Sequence, residues 1–113
     1  QTCALPISLT IDLDFQWQGV DLEKTTENVV FRIIEESITN SIRHGHAEKI
    51  WIRMTKDDKY YYIEIHDNGK GSPTIKPGFG LTQMQERLAI IGGTVTYQGD
   101  HGFTTKIKFI IKN

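Results

Sequence analysis

Between Ser8 and Phe15 apolar side chains return at every second position, Leu9, Ile11, Leu13 and Phe15 alternating with Thr10, Asp12 and Asp14. That period predicts a half-buried strand. From Leu22 to His44 the period lengthens: Val30, Ile34, Ile38 and Ile42 recur along the chain beside Val29 and Ile33, with no Gly or Pro among them. An amphipathic helix is predicted there, with a break near Thr25 and Thr26 left open, and Gly45 is expected to end it by adopting a positive φ. Alternation resumes at Ile50, Ile52 and Met54 and, after the polar turn Lys56 to Lys59, at Tyr61, Ile63 and Ile65, which predicts a β-hairpin. Asp67 to Gly80 then carries Gly69, Gly71, Gly78, Gly80, Pro73 and Pro77, a long loop of the kind kept for function. Leu81 to Ile91 reads as a second helix closed by Gly92 and Gly93. Val95 with Tyr97, then Lys106 to Ile111, read as two strands joined through Gly99, Asp100 and Gly102.

The order β, α, β, β, loop, α, β, β places the helices on one face of a mixed sheet of about five strands, an α+β two-layer sandwich. Strand pairs joined by short turns must be antiparallel, which argues against a doubly wound parallel sheet.

Composition narrows the picture. With 113 residues, 13 Lys+Arg, 14 Asp+Glu and 38% hydrophobic residues, the chain describes one domain with a sizeable core. A formal charge of -1 gives no global basic field, so any anion must be bound locally. No apolar run approaches the ~20 residues that span a bilayer, and no leader pattern is present, so a soluble, unsecreted domain is expected. The single cysteine, Cys3, leaves no internal disulfide framework or cysteine-built metal site, which makes a reducing compartment the default. Gln1 to Ile7 (QTCALPI) reads as an in-frame translation of a sequencing-library adapter and is expected to be foreign, which leaves 8–113 as the domain.

Three polar groups carry candidate chemistry. On a helix, Glu36, Asn40, Arg43 and His44 share one side, opposite Ile34, Ile38 and Ile42. The Asn40 amide oxygen is a hard ligand suited to Mg²⁺, and Arg43 can face phosphates beside it. The same spacing fits a solvated polar face, and spacing alone does not choose. Asp67, Asn68, Gly69, Lys70 and Gly71 follow an apolar strand: they offer a carboxylate acceptor and main chain able to approach a flat ring, or simply an Asp-Asn-Gly turn. Gly78, Phe79, Gly80 and Leu81 open a helix whose free N–H groups suit phosphate, or form a hinged loop, and match neither a P-loop nor a dinucleotide fingerprint. Tyr60, Tyr61, Tyr62 and Trp51 are expected on the two faces of the hairpin, Met84 and Leu88 in the core, and His66 and His101 as strand or turn residues.

In order and spacing together, Asn28 to Ile111, about three quarters of the chain, resembles the catalytic ATP-binding domain of sensor histidine kinases, within the gyrase, Hsp90, histidine kinase and MutL superfamily and its Bergerat fold. FRIIEESITNSIRHG (Phe31 to Gly45) looks like the N box, HDNGKG (His66 to Gly71) the first glycine box, and GFGLTQMQERLAIIGG (Gly78 to Gly93) the second with its helix. The last string is similar to the subgroup whose partners are response regulators with helix-turn-helix output domains.

The resemblance implies ATP and Mg²⁺ as ligands. It assigns Asn40 to the metal, Asp67 to the exocyclic amine of adenine, and Gly69 and Gly71 to the floor of the adenine pocket. Arg43 and His44 would approach phosphate or metal, and Glu36 holds the acidic position that acts as general base in ATP-hydrolysing relatives. Gly78 and Gly80 would end a mobile lid formed mostly by Pro73 to Pro77, Leu81 would open the helix that follows, and Thr105 would keep the hydroxyl of a closing Gly-x-Gly-Thr motif. Here that motif reads Gly102, Phe103, Thr104, Thr105, with a threonine where the family has its second glycine.

The implied activity is transfer of the ATP γ-phosphoryl group to a histidine on an upstream dimerisation domain, so the isolated fragment is expected to bind ATP as a monomer without phosphorylating itself. An anti-sigma-factor type serine kinase and a non-enzymatic docking module on the same fold are the alternatives. The implied location is the cytoplasm, with attachment of the full-length protein to the inner membrane left open.

Overall fold

The computed structural model describes residues 9–43, 45–70, 81–99 and 101–112, with main chain alone at Leu81. Its elements run β1 (Thr10–Phe15), α1 (Lys24–Arg43), β2 (Lys49–Lys56), β3 (Tyr60–Asp67), α2 (Leu81–Ile90), β4 (Gly93–Gln98) and β5 (Phe103–Ile110). The strands form one sheet in the order β1-β2-β3-β5-β4. Both hairpins are antiparallel, as their short turns require, and β3 pairs antiparallel with β5. β1 joins β2 in parallel, with α1 as the crossover. The expected two-layer α+β architecture is the one observed.

Side-chain alternation decides which face each residue takes. Ile50, Ile52 and Met54 on β2, Ile63, Ile65 and Asp67 on β3, and Thr105, Ile107 and Phe109 on β5 are buried on the face that carries the helices. Val29, Val30 and Ile33 of α1 and Met84 and Leu88 of α2 close that layer. Each such large apolar side chain contributes about 1.5–3 kcal/mol on burial. Trp51 lies on the opposite, solvent-facing side, its ring 5.3 Å from that of His66. The β2–β3 turn is closed by Asp57, whose Oδ1 accepts the N–H groups of Lys59 and Tyr60, both at 2.8 Å. The Tyr62 hydroxyl donates to Asp57 Oδ2 at 2.7 Å, and this bond, before the two N–H groups, holds the Asp57 carboxyl below its ordinary range.

Several expectations need correction. β1 is a strand, but no part of it is buried: Ile11, Leu13 and Phe15 are 45%, 58% and 43% exposed. These three pair with Ile50, Ile52 and Met54 and so point to the helix side, yet α1 packs over β3 and α2 and leaves the edge strand uncovered. The helix carries no break at Thr25 or Thr26; it begins at Lys24, and Thr26 is buried. Gly45 does not take a positive φ; His46 does, at 53°. The last strand starts at Phe103 rather than Lys106, because the β-branched pair Thr104 and Thr105 extends it.

Trp17 is the core residue that periodicity passes over. It lies two residues past the predicted first strand, its ring is 5.0 Å from Tyr61 and 5.9 Å from Phe109, and its Nε1–H donates to the Thr55 carbonyl at 2.7 Å. Gln1 to Ile7 lie outside the described residues.

Candidate functional site

The site forms where three chain segments converge on the end of β3. Asp67 is the last residue of that strand and is 1% exposed, although it carries a carboxylate. A buried charge is costly unless it is hydrogen-bonded, and here three donors meet it. The N–H groups of Gly69 and Phe103 donate to Oδ1 at 2.9 and 3.2 Å, and the Ser41 hydroxyl donates to Oδ2 at 2.6 Å. Among the described residues no cation pairs with Asp67.

Glycine is required where two of these segments touch. A Cβ on Gly69 would run into the Gly45 carbonyl, and Lys70 N–H donates to that same oxygen at 2.8 Å. The close approach thus requires glycine at 69; at Gly45 itself a Cβ would stand 3.0 Å from the Ser41 carbonyl and an ordinary 3.8 Å from Gly69 Cα. Asn68 secures the turn from the other side, its Oδ1 accepting the N–H groups of Glu48 and Lys49 at 3.0 and 2.9 Å.

On α1 the predicted residues keep their relative placement. Glu36 and Asn40 are half-buried and Arg43 is exposed in the last turn. Successive residues turn by about 100°, so the line Ser37, Ser41 separates Glu36 and Asn40 on one side from Ile34, Ile38 and Ile42 on the other. That middle line is the one in the core: Ser37 and Ser41 continue the stripe of Val30 and Ile33, while Ile34, Ile38 and Ile42 are only half-buried. Ile34, Ile38 and Ile42, expected on the apolar face, flank that line and do not form it. Ser41 places the Asn40 turn of α1 directly against Asp67.

Thr105 is buried on the helix side of β5, paired across from Ile65 and beside Tyr97. Burial pushes the Tyr97 phenol up to about 12, and its hydroxyl donates to Met84 Sδ at 3.8 Å. Thr104, standing where a glycine was expected, points to the opposite face, its Oγ1 2.6 Å from His66 Nδ1, and so does not crowd the site. Gly102, at φ 75°, packs its main chain against the Asp67 carbonyl, where a Cβ would collide. His44, Gly71, Pro73 to Pro77, Gly78 and Gly80 lie outside the described residues, as does the side chain of Leu81.

Sequence reasoning missed Ser41 and the main-chain donor of Phe103. The available signal was two serines in register with Val30 and Ile33 on an otherwise apolar line.

Comparison with known proteins bears on what this arrangement is. UhpB of Salmonella typhimurium, a signal transduction histidine-protein kinase/phosphatase, is 32% identical over 92 residues, 80% of this chain and 18% of that protein. The sensor histidine kinase LnrJ of Bacillus subtilis is 35% identical over 86 residues, 74% of this chain and 22% of that protein. The sensor protein VraS of Staphylococcus aureus is 35% identical over 80 residues, 68% of this chain and 23% of that protein. The chain thus spans about a fifth of the length of these relatives.

Among solved structures, the Acinetobacter baumannii histidine kinase AdeS superposes with a TM-score of 0.77 at 23% identity, over 94% of this chain and 56% of that one. The ATP-binding domain of PrrB from Mycobacterium tuberculosis gives 0.67 at 18% identity, over 94% and 82%. At these identities the likeness speaks for the fold. The family model described as histidine kinase-, DNA gyrase B- and HSP90-like ATPase matches residues 25–113. With most of its length inside that match, this chain belongs to the family of histidine kinase-, DNA gyrase B- and HSP90-like ATPases.

Proposed function

We propose that the chain is the ATP- and Mg²⁺-binding catalytic domain of a sensor histidine kinase, and that its full-length protein transfers the γ-phosphoryl group to a histidine on an upstream dimerisation domain. The observation that carries this reading is Asp67: a buried carboxylate at a strand end, held by three neutral donors with acceptor capacity to spare on Oδ2. Such a group suits the exocyclic amine of adenine. Gly69 is assigned to the floor of the base pocket, and Thr105 is buried on the same helix-side face as Asp67.

Asn40, one residue before the serine that touches Asp67, is the assigned metal ligand, its amide oxygen being of the hard type Mg²⁺ prefers. Arg43 and His44 follow toward the phosphates, and Glu36, one turn before Asn40, is the carboxylate assigned to the reacting end. Gly71 is assigned with Gly69 to the floor of the adenine pocket, Gly78 and Gly80 to the ends of the segment that closes over the nucleotide, and Leu81 to the start of the helix that follows. Bound Mg²⁺·ATP supplies the phosphoryl group and the charge neutralisation; the chain supplies position.

The string from Gly78 to Gly93 supports a response regulator of the helix-turn-helix class as partner, and the assigned location is the cytoplasm. The 113-residue chain is assigned nucleotide binding as a monomer without autophosphorylation. Among the described residues no helix is long and apolar enough to cross a membrane.

The test is thermal unfolding with Mg²⁺ and a non-hydrolysable ATP analogue. A ligand at 100 times its Kd adds about 2.7 kcal/mol to the wild type. Asp67→Asn should abolish the gain. An unchanged wild-type melting temperature overturns the proposal in favour of a docking module.

A further inference from the structure

We propose that Ser41 is a positioning residue for the nucleotide base: it holds the Asp67 carboxylate so that a single acceptor position on Oδ2 remains for the ligand, and it thereby sets the preference for a purine bearing an N–H donor there. The inference rests on the assignment of Asp67 to adenine.

A carboxylate offers two oxygens and about four lone-pair positions. Oδ1 is occupied by the N–H groups of Gly69 and Phe103, and Oδ2 by the Ser41 hydroxyl. Among the described residues these are the donors to Asp67, and they leave one position, on Oδ2. The donors come from α1, from the turn after β3 and from the start of β5, so the carboxylate cannot rotate without breaking a bond to one of them. The Ser41 contact, at 2.6 Å, lies in the range of charge-assisted O–H···O⁻ bonds, and Ser41 is itself buried.

The remaining position suits an amine and opposes a carbonyl oxygen, because an acceptor facing an acceptor leaves two buried groups unpaired, the situation in which polar sites discriminate most strongly. Removing the Ser41 hydroxyl opens a second position on Oδ2 and frees the carboxylate to turn. The amine then meets a group that is no longer aimed.

Ser37 provides an internal control. It lies one turn earlier on the same buried line of α1, and among the described residues its Oγ has no hydrogen-bond partner. Ser37→Ala deletes a hydroxyl from the same helix face without touching Asp67.

The experiment is calorimetric titration of the 113-residue chain with Mg²⁺·ADP and with Mg²⁺·purine riboside 5′-diphosphate, which lacks the 6-amine. The wild type should prefer ADP. Ser41→Ala and Ser41→Gly should each lose about tenfold of that preference while the affinity for the amine-free analogue stays within about twofold. Ser37→Ala should keep the preference. Alanine and glycine differ in helix propensity but are alike in lacking the hydroxyl, so a loss that follows melting temperature instead of hydroxyl content overturns the inference. Equal weakening of both nucleotides in Ser41→Ala overturns it too. Asp67→Asn separates the two levels. If that variant keeps the wild-type preference, the adenine assignment falls and the role of Ser41 falls with it. If Asp67→Asn abolishes the preference while Ser41→Ala preserves it, only the role of Ser41 falls.

Discussion

Replacing Ser37 by alanine should stabilise the fold. Ser37 is 5% exposed in the middle of α1, and its hydroxyl meets no partner among the described residues. A buried, unpaired hydroxyl costs about 1–3 kcal/mol. Alanine also gains roughly 0.5 kcal/mol of helix propensity over serine. Loss of one oxygen from a packed site takes back a few tenths of a kcal/mol, on the order of a handful of dispersion contacts. The net expectation is a gain of about 1–3 kcal/mol.

With an unfolding entropy of about 2.1 cal/mol/K per residue, the 113-residue chain should melt about 4 °C higher for each kcal/mol. Differential scanning calorimetry of the ligand-free protein reads this directly, and urea titration checks it through the midpoint at constant slope. The companion substitution one turn later should go the other way. The Ser41 hydroxyl serves a buried carboxylate at 2.6 Å, and a bond to a charged group is worth about 1.5–3 kcal/mol, so Ser41→Ala should lower stability after the helix gain is subtracted. The same chemical change on the same line of one helix is thus expected with opposite signs. A destabilised Ser37→Ala protein, or two shifts of the same sign, would refute the reasoning.

Two further outcomes follow from particular contacts. Gly69→Ala drives a methyl group into the Gly45 carbonyl and should cost about 1–3 kcal/mol together with nucleotide affinity; a variant with wild-type melting temperature and affinity would show that the turns do not meet as described. Tyr97 is neutral in the fold, its phenol raised by burial from 10.0 to about 12. Its contribution to stability is therefore complete below pH 10 and declines as pH rises toward 12. Tyr97→Phe should flatten the stability profile over that window, and identical slopes for both proteins would contradict the shift.

The sequence carried the element order because the two periods are unambiguous over Val29 to Ile42 and over Ile50 to Ile65. Short turns then forced both antiparallel pairs. What periodicity could not convey was coverage. The stripe Ile11, Leu13, Phe15 reads as half-buried whether or not a helix lies over it, and α1 packs over β3 instead. Periodicity also treats serine as polar, so it rotated the buried face of α1 toward Ile38 and Ile42 and missed the line that reaches Asp67. Trp17 was passed over because the predicted strand ends at Phe15, although position 17 continues the same alternation. Gly45 was flagged for the right element end but does not take a positive φ, and the contact made there requires glycine at Gly69, twenty-four residues away, which no local rule supplies. Asp67 was legible as a carboxylate at a strand end; its three donors were not, because two are main-chain groups and the third belongs to another element.

The arrangement around Asn68 bears on how this protein ages. An asparagine followed by glycine is the dipeptide most given to succinimide closure, in which the glycine nitrogen attacks the carboxamide carbon and releases ammonia. In the fold both reactants are tied down: the Asn68 carboxamide oxygen is held by the N–H groups of Glu48 and Lys49, and the Gly69 nitrogen is committed to Asp67. Native protein is thereby shielded from deamidation at the peptide bond where it is chemically most vulnerable. Time spent unfolded removes the shield and installs a new negative charge next to the carboxylate on which recognition depends.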